Sequence, residues 1–330
     1  MAGRATRSLL SLTIAASLAL GADAAQAPPP SSPAGGGAPF AGGRPFATPF
    51  GVIYSTNITP DRPPPNHLIP PLGFRPLLAS WQALSPRPTS PEPPGLDAAG
   101  RRGAELVAGL GHCGSCHTPR NSLRAEDADR PLAGAMAEGW YAPPLQADSP
   151  APAPWTTDDL ETYLRTGLSD HHQAAAGPMG AVTRELSQAP EEEVRDMAIY
   201  LSALMSRANR PTPVDQAAAA ARAWPQGAQI YAGACASCHD AGSAMRRQGR
   251  PSLAVGTPLD EDRATDVIMI VLEGLTPPEG KAGPYMPPFA DSLTDAQVVQ
   301  LTAYLRARFS RERPWKDIPG AVRTARKGAP

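Results

Sequence analysis

Several stretches of this 330-residue chain carry apolar side chains at three- and four-residue spacing. Between Glu191 and Met205, Val194, Met197, Ala198, Leu201 and Leu204 share one face. In the last long stretch Val298, Leu301, Thr302, Leu305 and Phe309 do the same, and Ala264 to Leu272 carries Val267, Ile268, Val271 and Leu272. That period predicts amphipathic helices. Local signals mark their ends. Thr294-Asp-Ala-Gln297 is a capping-box pattern, and Gly274 followed by Pro277-Pro278 closes the helix before it. Asp97 can cap a helix running through Arg101, Leu106, Val107 and Leu110 to Cys113. Thr156 to Arg165 reads as another, and Gly227 to Cys235 as a short one. Thr212 to Pro225, rich in alanine and proline, reads as a linker.

Composition trims this picture. Forty-one prolines and 30 glycines assign a sizeable part of the chain to loops, above all before residue 95. With 30 basic and 31 acidic residues the net charge is −1, so charge points to neither nucleic acid nor an acidic substrate. Arg4 and Arg7 precede the apolar run Leu9 to Leu20, and the small residues from Ala22 to Ala27 follow. This is the layout of an export signal, residues 1–25, with cleavage after Ala24 or Ala25. The apolar run falls short of the ~20 residues that a membrane-spanning helix needs.

All four cysteines fall in two copies of Cys-x-x-Cys-His: Cys113-Gly-Ser-Cys116-His117 and Cys235-Ala-Ser-Cys238-His239. In an exported chain four cysteines could form two ordinary disulfides, although that leaves the adjacent histidines unexplained. A thioredoxin-like site would require a βαβ pattern, and a zinc site further ligands at characteristic spacing. The reading that uses every residue is covalent attachment of two haem c groups. Two thiols on one helical turn form thioethers to the vinyl groups of one haem, and the next residue, His, reaches the iron from one face.

The order of elements recurs around both motifs: helix, attachment motif, helix, a Gly/Pro loop with one Met, closing helix. Met179 in Gly177-Pro-Met179 and Met286 in the loop from Gly283 to Phe289 are the candidate second iron ligands. Met136 competes at the first site. His171 and His172 would give a bis-histidine site there, or else are solvated loop residues. The repeat predicts an all-α fold of two units, residues 96–208 and 226–311. They are joined by a linker at 209–225, preceded by a largely irregular Pro-rich segment at 26–95 and followed by a basic tail at 312–330. From Arg306 to Lys327 eight basic residues face two acidic ones, with Trp315, Ile318 and Val322 interspersed. Such a tail could sit peripherally on an anionic lipid surface or simply be solvated.

The stretches GLGHCGSCHTPRN (109–121), GWYAPPL (139–145), WTTDDLETYLRTG (155–167), AAAGPMGAV (174–182), DMAIYLSAL (196–204), QIYAGACASCH (229–239) and MPPFADSLTDAQVVQLTAYLR (286–306) carry a family resemblance. Each unit resembles a class I cytochrome c. The tandem resembles the multihaem cytochrome c subunit of bacterial membrane-bound dehydrogenases that oxidise alcohols, gluconate, sorbitol or aldehydes in the periplasm. The resemblance implies ligation by Met179 and Met286. It also implies carbonyl hydrogen bonds to the ligand histidines, from Pro251 to His239 and from Pro131 to His117. That family carries three haem motifs and this chain two. GGRPFATPFGVIYSTNITPD (42–61) looks like the remainder of the missing first unit.

The implied role is electron transfer without substrate chemistry. A dehydrogenase catalytic subunit would be the donor, of the molybdenum-dependent aldehyde dehydrogenase type in the first place, with PQQ- or flavin-dependent types as the other classes. Quinone or a further cytochrome would accept, at the outer face of the inner membrane. Two other classes fit two such motifs: a dihaem peroxidase-like enzyme, and a free periplasmic electron shuttle.

Overall fold

Glycine decides where the main helices meet. α2 (Ala98–Ala108) crosses α6 (Glu191–Leu204) at Gly103, where a Cβ would lie 2.0 Å from the Asp196 carbonyl oxygen. α8 (Pro225–Ala234) crosses α12 (Asp295–Phe309) at Gly227, where a Cβ would lie 2.2 Å from the Gln300 carbonyl oxygen. Only a residue without a side chain lets the two backbones approach so closely. The same contact therefore builds both halves of the helical framework.

The computed structural model describes residues 45–48, 51–54, 75–86, 88–206, 213–277, 283 and 285–328. The proposed export signal lies outside them, as does most of the Pro-rich segment. The chain divides into residues 1–80 and 81–330. In the first, β1 (Pro45–Thr48) and β2 (Gly51–Tyr54) form an antiparallel hairpin pairing Phe46 with Ile53 and Ala47 with Val52. A stretch expected to be irregular thus contains a hairpin. α1 (Arg75–Leu84) runs across the division, and Trp81 Nε1 donates to the Leu123 carbonyl at 2.8 Å.

From residue 81 on, apolar side chains gather into two clusters. Val107, Leu160, Val194, Tyr200 and Leu201 centre the first; Tyr231, Ile268, Val298, Leu301 and Val322 centre the second. Each fully buried Val or Leu contributes about 1.5–3 kcal/mol. In the first, Asp97 caps α2 by accepting from the Gly100 amide at 2.8 Å. The helix stops at Ala108, so Leu110, expected on its apolar face, stands exposed. Then come α3 (Gly114–His117) and a hairpin of β3 (Ala135–Ala137) and β4 (Trp140–Ala142). Glu138 and Gly139 at its tip both have positive φ, the type I′ geometry that suits the twist of a two-residue hairpin. α4 (Thr157–Thr166) is capped by Thr156 and ended by Gly167 in the left-handed region. A short hairpin, β5 (Leu168–Ser169) with β6 (Gln173–Ala174), leads into α5 (Gly177–Leu186) and α6. Met179, expected in a loop, therefore sits in the first turn of a helix, where Pro178 is tolerated because first-turn amides have no intrahelical partner.

In the second, α7 (Ala217–Ala223) lies within the expected linker, and buried Ala220 packs it on α12. α8, α9 (Ala236–His239), α10 (Ala244–Arg247), two 3₁₀ turns, α11 (Thr265–Glu273) and α12 follow, with the full capping box at Thr294 and Gln297. The basic tail folds into α13 (Ile318–Arg326), and Trp315, Ile318 and Val322 join the core. Those three residues present no apolar face to lipid. Among the described residues no helix is long and apolar enough to cross a membrane.

Candidate functional site

The two Cys-x-x-Cys-His segments take the same local form. The preceding helix ends at Ala108, five residues before Cys113, in the first segment and at Ala234, directly before Cys235, in the second; in both, a single helical turn then carries the second cysteine and the histidine. The turn is closed by His117 N to Cys113 O at 2.9 Å and by His239 N to Cys235 O at 3.0 Å. All four cysteines are free thiols. Burial pushes Cys113 and Cys235 up to about 11, so both are protonated thiols at neutral pH.

Burial also holds His117 and His239 below the ordinary histidine value, which keeps both rings neutral and able to coordinate a metal. The His117 ring is oriented by its Nδ1, 2.7 Å from the Pro143 carbonyl. The resemblance implies Pro131 in that place, but the Pro131 carbonyl accepts instead from the Gln146 side chain. The reason is the β3–β4 hairpin, which carries the chain away from Pro131 and returns it so that Pro143, just past β4, reaches the ring. Gly134 N donates to the His117 carbonyl at 2.7 Å and fastens the start of this excursion. With Nδ1 engaged, Nε2 is left for a metal.

Both segments open onto one cavity of about 590 Å³, within the usual ~300–1,000 Å³ of cofactor sites. Its lining includes Cys113, Cys116 and His117 together with Cys235, Cys238 and His239. Met179 and Met286 line it as well, and so does Pro251. Residues 122 positions apart in sequence thus face a common apolar space. The donor set of vicinal thiols, neutral imidazoles and thioether sulfurs in that space fits haem c.

The methionines are held in different ways. Gly177, at the start of α5, has positive φ, and its α-carbon lies against the Trp140 ring, where a Cβ would come within 2.4 Å. This contact seats the turn that carries Met179. Met286 pairs its backbone N–H and C=O with Leu275, both bonds at 2.9 Å. The pairing is possible because Gly274, at φ +69°, lets the Met286 carbonyl approach where a Cβ would be 2.3 Å away. Met136 lies on β3, 49 % exposed, and is not part of the cavity lining. His171 is exposed and bonds Asp159 at 2.7 Å. His172 is not a solvated loop residue: it is 4 % exposed, lines the cavity, stacks on Trp155 at 3.5 Å, and engages the Pro154 carbonyl through Nε2.

Two further groups had no sequence signal. Arg308 bonds both Asp215 oxygens, at 2.7 and 3.0 Å, and Asp240 at 2.9 Å, tying the residue after His239 to α12. Glu261 and Asp266 are buried acids that line the cavity. Glu261 lies in an irregular loop, where no periodicity hints at burial, while Asp266 and Arg308 are polar positions on helices, buried by partners far along the chain.

Comparison with known proteins agrees with this site. Residues 222–305 match the family described as cytochrome c oxidase, cbb3-type, subunit III. A subunit of the nicotinate dehydrogenase of Pseudomonas putida is 35% identical over 86% of the chain, which spans only 29% of that relative's length. The gluconate 2-dehydrogenase cytochrome c subunit of Pantoea cypripedii is 30% identical over 82% of the chain and 80% of its own length. A protein of Cereibacter sphaeroides named diheme cytochrome c-type is 39% identical over 42% of the chain and 46% of its own length. With both attachment motifs facing a cavity suited to haem c and a relative matched over most of both lengths, this chain belongs to the family of dehydrogenase cytochrome c subunits.

Proposed function

We propose that the chain is a dihaem electron-transfer subunit that receives electrons from a dehydrogenase and passes them to quinone or a further cytochrome. Catalysis on substrate falls to the partner. The observation that carries this reading is the opening of both Cys-x-x-Cys-His segments, each with a methionine, onto one cavity. Haem c bound there supplies a one-electron couple whose potential a thioether ligand raises.

The residues divide the work as follows. Cys113 and Cys116 anchor one group and Cys235 and Cys238 the other. His117 and His239 would each offer an imidazole nitrogen to the iron, and Met179 and Met286 a thioether sulfur. The Pro143 carbonyl keeps the His117 ring in one orientation. Pro251, on the wall beside His239, is the candidate for the same task there. The apolar lining excludes water and lowers the reorganisation that each charge change demands. In this reading residues 96–208 and 226–311 are two class I cytochrome c units. A dehydrogenase partner is supported by the names of the relatives, and a molybdenum-dependent aldehyde dehydrogenase type remains our preferred class. The leader-like N-terminus supports a periplasmic location.

The test is carbon-monoxide difference spectroscopy on the reduced, haem-loaded chain. Two six-coordinate sites bind little carbon monoxide, and Met179→Ala or Met286→Ala opens one site each while Met136→Ala opens neither. Ready binding at one haem of the parent chain would favour the peroxidase-like alternative and sink the relay.

A further inference from the structure

Glu261 is 1 % exposed, and its Oε2 has no hydrogen-bond partner among the described residues. It nevertheless lines the cavity that holds both ligand sets, as does Asp266 at the start of α11. Asp266 Oδ1 accepts from the Tyr141 amide at 2.7 Å, a bond that joins α11 to β4 and so bridges the two halves of the cavity wall. The rest of the surroundings is specific. Asp260 and Arg263 come from the same loop, Arg306 from α12, Tyr141 from β4 and Tyr163 from α4. The Arg263 guanidinium lies over the Tyr141 ring at 4.2 Å, and Arg263 is itself exposed. Arg306 donates from Nε and Nη1 to the backbone carbonyls of Arg313, Leu259 and Glu261, not to the Glu261 carboxylate. Neither arginine therefore gives Glu261 Oε2 a hydrogen bond.

An ionised carboxylate left buried without a donor is costly, so such a group binds a proton instead. Burial, and next the neighbouring Asp266, both push Glu261 well above its ordinary value, and burial pushes Asp266 up as well. Because the Asp266 charge raises Glu261, the two acids do not titrate independently.

We propose that Glu261 and Asp266 form a proton-binding site coupled to the redox state of one of the two haems held at this cavity. The inference rests on the haem reading above. The step balances simply. A one-electron reductant, such as a reduced dehydrogenase cofactor or an electrode mediator, converts ferric to ferrous iron and adds one negative charge. The acid pair takes one proton from solvent and keeps it at a carboxyl oxygen. Oxidation releases both. Coupling of this kind is reciprocal, so a proton on the pair raises the affinity for the electron by the factor by which the electron raises the affinity for the proton.

The experiment is spectroelectrochemical titration of the full haem-loaded chain from pH 5 to pH 8. Full coupling lowers one midpoint by about 59 mV for each tenfold fall in proton concentration across the sloping range. Glu261→Gln should abolish most of that slope. Asp266→Asn keeps the acceptor for Tyr141 but removes the like-charged neighbour, so it should move the sloping range to lower pH. Reduced-minus-oxidised infrared spectra should show a protonated carboxyl gained on reduction in the parent chain and missing in Glu261→Gln. A pH-independent midpoint in the parent overturns the proposal with no variant needed, and so does an equal slope in Glu261→Gln. If that variant fails to fold, an unmoved range in Asp266→Asn overturns it. Failure of the haem reading looks different, because no haem wave would be seen at all.

Discussion

Replacing Gly103 with alanine tests whether the α2–α6 crossing is what holds the first half of the site. The new Cβ would sit 2.0 Å from the Asp196 carbonyl oxygen, 2.5 Å from its carbon and 3.0 Å from Tyr200 Cβ. Two of these atoms are helix backbone and cannot rotate aside. Reaching even a tight 3.0 Å contact requires the crossing to open by about 1 Å at a point flanked by Val107, Val194 and Tyr200, all at most 1 % exposed. Overpacking of this kind costs about 1–3 kcal/mol, occasionally more. The intrinsic gain of alanine over glycine in a helix returns only about 0.8–1.0 kcal/mol. Because backbone is involved, we expect the upper part of the range to apply and a net loss of roughly 2 kcal/mol. For a folded region of this size that is a fall in Tm of roughly 4–8 °C. Gly233→Ala is the matched control: it too lies in a helix, α8, and a Cβ there meets nothing within 4 Å. It should be neutral or stabilising by about 0.4–1 kcal/mol. Thermal and guanidinium unfolding of both variants, followed by circular dichroism, would decide. If Gly103→Ala matched the parent, or if the two substitutions behaved alike, the crossing would not be the constraint argued for it.

Two other outcomes follow from the same geometry. Gly274→Ala puts a side chain at φ +69°, ψ −164°, a region open essentially to glycine alone, and drives it against the Met286 carbonyl. We expect loss of the sulfur ligand at one site, read as a fall in one midpoint potential and new carbon-monoxide binding, with the other site unchanged. Asp260 concerns pH. Burial raises it to about 6 from an unfolded value near 3.8, against the pull of the Ser310 hydroxyl and Arg306. The folded state therefore binds this proton more tightly, so its contribution to stability is present below pH 4 and is lost as pH rises through about 6. Asp260→Asn should remove that loss, gaining on the order of 1 kcal/mol at pH 7 relative to pH 4 after allowance for the partial exposure of the group. Unfolding curves at the two pH values that moved in parallel for both proteins would refute it.

Much of the framework is legible in the sequence because it depends on neighbours close along the chain. The helices at 157–166 and 191–204 and the capping box at Thr294 announce themselves through period and cap. The attachment motifs do so because covalent chemistry fixes their spacing. What escapes is set by distant partners. Three-residue strands such as β3 and β4 are too short to show alternation. Pro143 reaches His117 only because of the hairpin, whereas the family resemblance implies Pro131. His172 is buried by Trp155, seventeen residues earlier, while its equally polar neighbour His171 is exposed. Gly103 and Gly227 look like ordinary small residues in a helix until the crossing partner is known.

The bond from the Tyr141 amide to Asp266 and that from the Gln173 side chain to the Ser252 carbonyl at 2.5 Å cross from one repeat to the other beside the shared cavity. Two apolar clusters with separate centres are therefore tied to each other along this wall. Either repeat, excised, would leave an apolar wall facing water and two polar groups without partners. The two halves of the wall are thus completed only by each other.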